Sequence, residues 1–162
     1  IKQFVAAGLS KDIQLVTPGF SSDQDVIRPV GDAMLGTFDA AHWALDIDNP
    51  ANRKFVAEFE KEYKRLPTLY ASQGYDTALL IDSAVKGVKG KLEDKDALRK
   101  ALKAANFQST RGAFKFNRNH YPIQNYYLRV VGKDAQGRLV NKTLATVFKD
   151  HGDAYVQDCA MK

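Results

Sequence analysis

The sequence predicts an α/β protein built from parallel βαβ units. Three observations carry that expectation. Helical and strand-like apolar patterns alternate through the first part of the chain. Hydrophobic residues make up 44% and charged residues 27% of 162 residues, the balance of a globular chain with a core. From Gly112 onward the texture changes to alternating runs separated by turn residues, which read as strands or a hairpin.

The elements follow in order. Ile1, Phe4, Val5 and Leu9 fall at helical spacing, and Gly8 is a natural stop for that helix. DIQLVTPGF (residues 12–20) reads as a short buried strand leaving through Pro18-Gly19. Ser21 or Ser22 then caps a helix whose first turn carries Asp23 and Asp25, acidic groups that suit the positive end of the helix dipole. MLGTFDAAHWAL (34–45) is the second strand. Asn49 caps a long amphipathic helix with Pro50 at its first position and Phe55, Val56, Phe59 and Tyr63 on one side. Pro67 closes it and opens LPTLYASQGYDTALLIDSAVKG (66–87), a helix whose mixed aromatic and polar head precedes an apolar run. A lysine-rich turn leads to a helix from Asp94 to Ala105. AFKFN (113–117), NYYLRVVGKD (125–134) and RLVNKTLATVFKD (138–150) complete the chain as strands.

Motifs that carry chemistry are missing. His42, His120 and His151 stand far apart and none sits in HExxH, while GxSxG and GxGxxG do not occur. DHGD (150–153) reads as a polar surface loop rather than a metal site. Cys159 has no activating neighbour in sequence; it is a free thiol or a half-cystine whose partner lies elsewhere. The basic stretch from Lys86 to Lys103 is interrupted by Glu93, Asp94 and Asp96 and has no interleaved aromatics, so a solvated helix face is expected, not a nucleic-acid partner. The net charge of +5 is only mildly basic, and no apolar run approaches the roughly eighteen residues of a membrane span. The expectation is a non-enzyme without metal or cofactor. Because the chain opens inside a helical pattern and without Met, a processed protein or a fragment whose signal peptide is gone is expected.

What remains is a set of loop positions suited to a small molecule. Ligands of parallel α/β sheets bind in the crevice beyond the carboxyl ends of the strands. Phe20 and Ser21 leave such an end beside a helix start, where backbone N–H groups favour an anion such as a carboxylate; the alternative packs Phe20 into the core. His42 and Trp43 close the second strand. They line a cleft, or Trp43 is core and His42 a hydrogen-bonded surface residue.

Several spaced elements, Gly36-Thr37, Asp48-Asn49-Pro50-Ala51-Asn52, Phe55-Val56, Pro67, Tyr70-Ala71 and Gly74-Tyr75-Asp76, occur in the order found in one family. The sequence resembles the latter half of a type I periplasmic substrate-binding protein of the branched-chain amino acid (Leu/Ile/Val) class of ABC-transporter receptors. HWALDIDNPAN and the DHGDAYVQDC tail are similar to the subgroup that takes up aromatic acids. The resemblance implies two α/β lobes closing on a ligand. Residues 1–41 then belong to the second lobe, 42–44 to a hinge crossing and 45–128 to the first lobe. Residues 129–162 form the last crossover and a C-terminal hairpin in the second lobe. It also implies an N-terminal half that is not in this chain, leaving apolar faces with Leu79, Leu80 and Val85 exposed. These are expected to be covered by that missing portion, by self-association or by repacking of the chain.

The resemblance places Tyr70 in the cleft, with Gln73 one turn on, and implies a periplasmic protein delivering a small molecule to a membrane permease. Amino-acid receptors of the family carry an acidic side chain where this sequence has Gly19 or Phe20. A buried ammonium without a partner is costly, so an aromatic carboxylate is favoured unless Asp23 or Asp39 supplies the charge. The same fold in a ligand-sensing domain of a regulator or membrane receptor is the alternative.

Overall fold

Helix α1 (Lys2–Ala6) is shorter than its apolar spacing predicts, because Gly8 takes a left-handed φ of 75° and turns the chain. The computed structural model describes residues 1–161. Strand β1 is only Val16–Pro18, since Gly19–Ser22 coil into a 3-10 turn. It is not the buried strand expected, because Val16 and Pro18 are exposed at the edge of the sheet. Helix α2 (Gln24–Val30) is capped at Asp23, not at Ser21 or Ser22; the serines are consumed by the preceding turn. Strand β2 is Phe38–Ala41, shorter than expected because Gly31–Met34 form another 3-10 turn and Trp43 lies beyond its end.

The long helices begin where their caps dictate. Asn49 accepts the Asn52 amide at 2.8 Å ahead of α3 (Pro50–Tyr63), and Thr68 accepts the Ala71 amide at 3.1 Å ahead of α4 (Leu69–Gly87). Asp94 does the same for α5 (Lys95–Ala104), accepting from Ala97 at 3.0 Å. Strands β3 (Lys115–Phe116), β4 (Pro122–Lys133) and β5 (Leu139–His151) follow.

The βαβ expectation holds for the first unit: β1 runs parallel to β2, Val16 opposite Phe38, with α2 between them in sequence. The sheet then becomes mixed. β4 lies antiparallel to β2, Phe38 opposite Val130, and also pairs antiparallel with β5 and β3. One apolar cluster gathers Ala41, Trp43, Phe55 and Leu69; another gathers Ile27, Met34 and Val131. Tyr63 belongs to neither. It is exposed and lies tilted against Phe59 with ring centroids 4.5 Å apart.

The apolar faces of α4 find part of their cover within this chain. Leu79, Leu80 and Val85 are half-buried rather than exposed, because α5 packs along α4 and Leu79 sits beside Pro50, Ala51 and Tyr75. The large apolar side chains that α4 does expose are Tyr70 and Ile81. Gly74 lies between them on this open face, with nothing within 4 Å of the position a Cβ would take.

Candidate functional site

The loop after β1 is held from four sides. Gly19 sits so close to β2 that an added Cβ would meet Ala41 Cβ at 2.7 Å and the Ala40 carbonyl at 2.8 Å, so no larger residue fits without moving the loop. The Gly19 carbonyl accepts from Arg129 Nη2 at 3.3 Å. The Ser22 carbonyl accepts from Asn141 Nδ2 at 2.7 Å, and the Ser22 and Thr17 hydroxyls bond to each other. Between these fixed points Phe20 projects outward, 56% exposed, with Ser21 half-buried beside it. Phe20 is therefore not a core residue of this chain.

Asp23 joins this loop to the start of α4. Its Oδ2 accepts the Leu69 amide at 2.6 Å, satisfying one of the unpaired N–H groups of the α4 N-terminus. Tyr70 follows directly, 60% exposed. One turn on, Gln73 Nε2 lies 3.1 Å from His42 Nε2. The expected residues thus form two linked pairs, Phe20 and Ser21 on the loop and Tyr70 and Gln73 on α4, with His42 on Gln73. Trp43 does not join them. It is 1% exposed, packs edge-on against Phe55 and donates through Nε1 to Asn52 Oδ1 at 2.7 Å. Asn52 also donates to the carbonyls of Ala44, Leu45 and Ile47, so one buried amide holds the whole segment after β2.

His42 is kept neutral. Burial, then the positive charges of Arg111 and Arg129, lower its pKa to about 4, against a smaller opposing pull from Asp76. Its ring also meets Tyr126 edge-on, with centroids 6.3 Å apart. Asp76 lies one turn beyond Gln73 and is bonded by the Ser109 hydroxyl, the Thr110 amide and Arg111 Nε at 2.6, 2.8 and 3.0 Å. Arg111 continues to Gln124 Oε1 at 2.8 Å and lies over the Phe114 ring. This network ties the strand region to α4 directly behind Gln73.

Asp23 and Asp39 are both buried and each engages one carboxylate oxygen, while Asp23 Oδ1 and Asp39 Oδ2 are buried without a hydrogen-bond partner. Asp39 is fully buried and pairs with Arg129 Nε at 2.6 Å; burial pushes its carboxyl up, and Arg129 pulls it back. Burial likewise raises Asp23, opposed by the Leu69 amide. Asp76, Arg111, Gln124, Tyr126 and Arg129 escaped sequence reasoning. Arg129 and Asp39 do carry a signal, a lone charge inside each of two apolar strands, but partners 90 residues apart are not paired by local pattern.

Among the described residues no group of three or more His, Cys, Asp or Glu side chains is arranged to hold a metal ion, and no helix is long and apolar enough to cross a membrane. Cys159 is a free thiol. Asp153 of the DHGD loop accepts from Asn119 at 2.6 Å.

Residues 1–136 match the model of the family described as periplasmic binding protein. A Leu/Ile/Val-binding protein homolog 6 from Brucella abortus is 33% identical over 157 residues, covering 94% of this chain and 40% of that protein. An R. palustris ABC-transporter solute-binding protein, solved with benzoate, is 38% identical with a TM-score of 0.83, covering 94% of this chain and 40% of the other. A second, from Rhodopseudomonas palustris BisB5 with 3,4-dihydroxybenzoic acid, is 34% identical with a TM-score of 0.83, covering 94% and 42%. The chain therefore spans about 40% of the length of these relatives. With most of its length matched by the family model and its fold shared with solved solute-binding proteins, this chain belongs to the periplasmic binding protein family.

Proposed function

We propose that this chain is part of the extracytoplasmic solute-binding component of an ABC importer, a binding protein and not an enzyme, whose ligand is an aromatic carboxylate. The observation that carries the ligand class is the composition of the candidate site. It presents an exposed Phe20 and Tyr70, with Ser21 and a neutral His42–Gln73 pair, while both nearby carboxylates are buried and engaged. Such a site offers stacking surface and hydrogen-bond donors but no exposed carboxylate as counter-charge for an α-ammonium group. Relatives solved with benzoate and with a dihydroxybenzoate support the same class.

In this reading residues 1–41 and 129–162 contribute to one lobe and 45–128 to the other, with 42–44 as a crossing, and a membrane permease receives the ligand. The remaining length seen in the relatives supplies the rest of the cleft and covers the open face of α4 around Tyr70, Gly74 and Ile81. Calorimetric titration of the full-length gene product against benzoate, 4-hydroxybenzoate, 3,4-dihydroxybenzoate and leucine tests the reading. Binding of one or more benzoates with weaker or no leucine binding is expected. Leucine binding without benzoate binding would overturn the ligand class.

A further inference from the structure

We propose that Arg129 is a positioning residue that makes the geometry of the ligand loop depend on the crossing segment 42–44. The guanidinium is 1% exposed and reaches three separate pieces of chain. Nε donates to Asp39 Oδ1 on β2 at 2.6 Å, Nη1 to the Trp43 carbonyl at 2.8 Å, and Nη2 to the Gly19 carbonyl at 3.3 Å. A planar guanidinium holds its donors in a rigid fork, so these three acceptors have a fixed mutual arrangement. Asp39 neutralises the buried charge, and the two carbonyls take up the remaining direct contacts.

Gly19 immediately precedes the exposed Phe20, and its back is pressed on Ala40 and Ala41 with no room for a Cβ. The loop is thus clamped between β2 on one side and Arg129 on the other. Any rotation of residues 42–44 relative to β2 displaces the Trp43 carbonyl, and the rigid fork transmits that displacement to the Gly19 carbonyl. The position of Phe20 therefore depends on where the Trp43 carbonyl sits relative to β2. A lysine at 129 would retain the charge but has one small ammonium head, which does not span three acceptors.

The inference rests on the proposed function for its ligand, so its primary test needs none. Hydrogen exchange, read by mass spectrometry on the full-length gene product, is compared for wild type, Arg129→Lys and Gly19→Ala. The second variant disturbs the clamp from its other side and keeps the argument decidable if the first folds poorly. Faster exchange is expected at residues 19–22 in both variants and at 42–44 in Arg129→Lys, with α3 and α4 unchanged. Unchanged exchange at 19–22 in both variants, or a uniform increase over the whole chain, would overturn the proposal.

The second test is a double-mutant cycle of Arg129→Lys with Phe20→Ala, using whichever of benzoate or leucine the wild type binds. Each single change is expected to weaken binding about tenfold, and the pair little more than either alone, because both act through the same ring. Additive loss, roughly a hundredfold for the pair, would mean that Arg129 does not act through Phe20. Failure of benzoate binding alone sinks the ligand class but not the clamp, which the exchange measurement judges separately.

Discussion

One apolar cluster, around Trp43 and Phe55, draws its members from residues 41–75; the other, around Ile27, Met34 and Val131, draws from the first thirty-four residues and from 131–139. Contacts between the two regions are of another kind. Asp23 accepts the Leu69 amide, Arg65 pairs with Asp25 at 3.1 Å, Arg138 pairs with Glu60, and Thr143 donates to Asp46 at 2.6 Å. Apolar burial holds each region together without needing a particular geometry, at roughly 25 cal/mol per Å². Exposed polar contacts are exchanged for water at little net cost. Each region is thus held by apolar burial, while the contacts between them are polar, buried at Asp23–Leu69 and Arg129–Trp43 and exposed at the Arg65, Arg138 and Thr143 pairs.

The largest test of this contrast is inside the first cluster. Trp43→Ala removes the side chain at its centre and leaves Asn52 Oδ1 without its donor, so about 3–5 kcal/mol of unfolding free energy should be lost in urea titrations. Hydrogen exchange should accelerate in α3 and α4 more than in α2; equal acceleration would mean that the two regions form a single unit.

Acidification sharpens the comparison at the boundary itself. The His42 pKa falls from 6.5 to about 4 in the folded chain, so folding favours the neutral ring. Its stabilising contribution is complete above pH 6.5, declines as pH falls from there, and is gone below about pH 4, a loss approaching about 3 kcal/mol. The raised carboxyls of Asp23 and Asp39 act in the opposite sense, weakening the fold as pH rises from 3.8 through their folded values. His42→Gln isolates the imidazole: the difference in stability between wild type and variant should shift between pH 7 and pH 4. A pH-independent difference would show that the ring does not titrate as described.

Smaller effects separate function from packing. Tyr70→Ala removes an exposed ring and should change stability by less than about 1 kcal/mol while weakening ligand binding about tenfold in the full-length protein. A larger loss of stability than of affinity would make Tyr70 a packing residue. At the seam, Arg65→Ala and Arg138→Ala should each cost less than about 1 kcal/mol, and less again in high salt. A cost above 2 kcal/mol from either would make the seam as tightly bound as the clusters, contrary to the comparison.

Much of the framework was legible in local pattern. Asn49-Pro50, Asp94 and Gly8 mark helix boundaries because each acts on backbone groups within a few residues of itself. The parallel β1–β2 unit followed from alternating patterns, and Phe20, Tyr70 and Gln73 stood out as aromatic or polar residues at element ends. Strand lengths were overestimated because apolar runs such as MLGTFDAAHWAL contain residues that are buried without being in a ladder: Met34 in a 3-10 turn, Trp43 past the strand. The serines before α2 looked like caps, yet Asp23 took that position and spent its carboxylate on Leu69 instead.

The sequence by itself determined the α/β class, the order of the helices, the family resemblance and the aromatic character of the candidate site. The class and the helix order depend on periodicity and capping, which act over a few residues at a time, whereas it is the resemblance to a family that places Tyr70 and Gln73 in the site. Only the tertiary structure decided that Trp43 is core while Phe20 is not, that Asp39 and Asp23 are engaged, and that Arg129 joins the loop to the crossing. Those outcomes depend on partners as far apart as Gly19 and Arg129, or Asp76 and Arg111, which folding alone brings within hydrogen-bond reach.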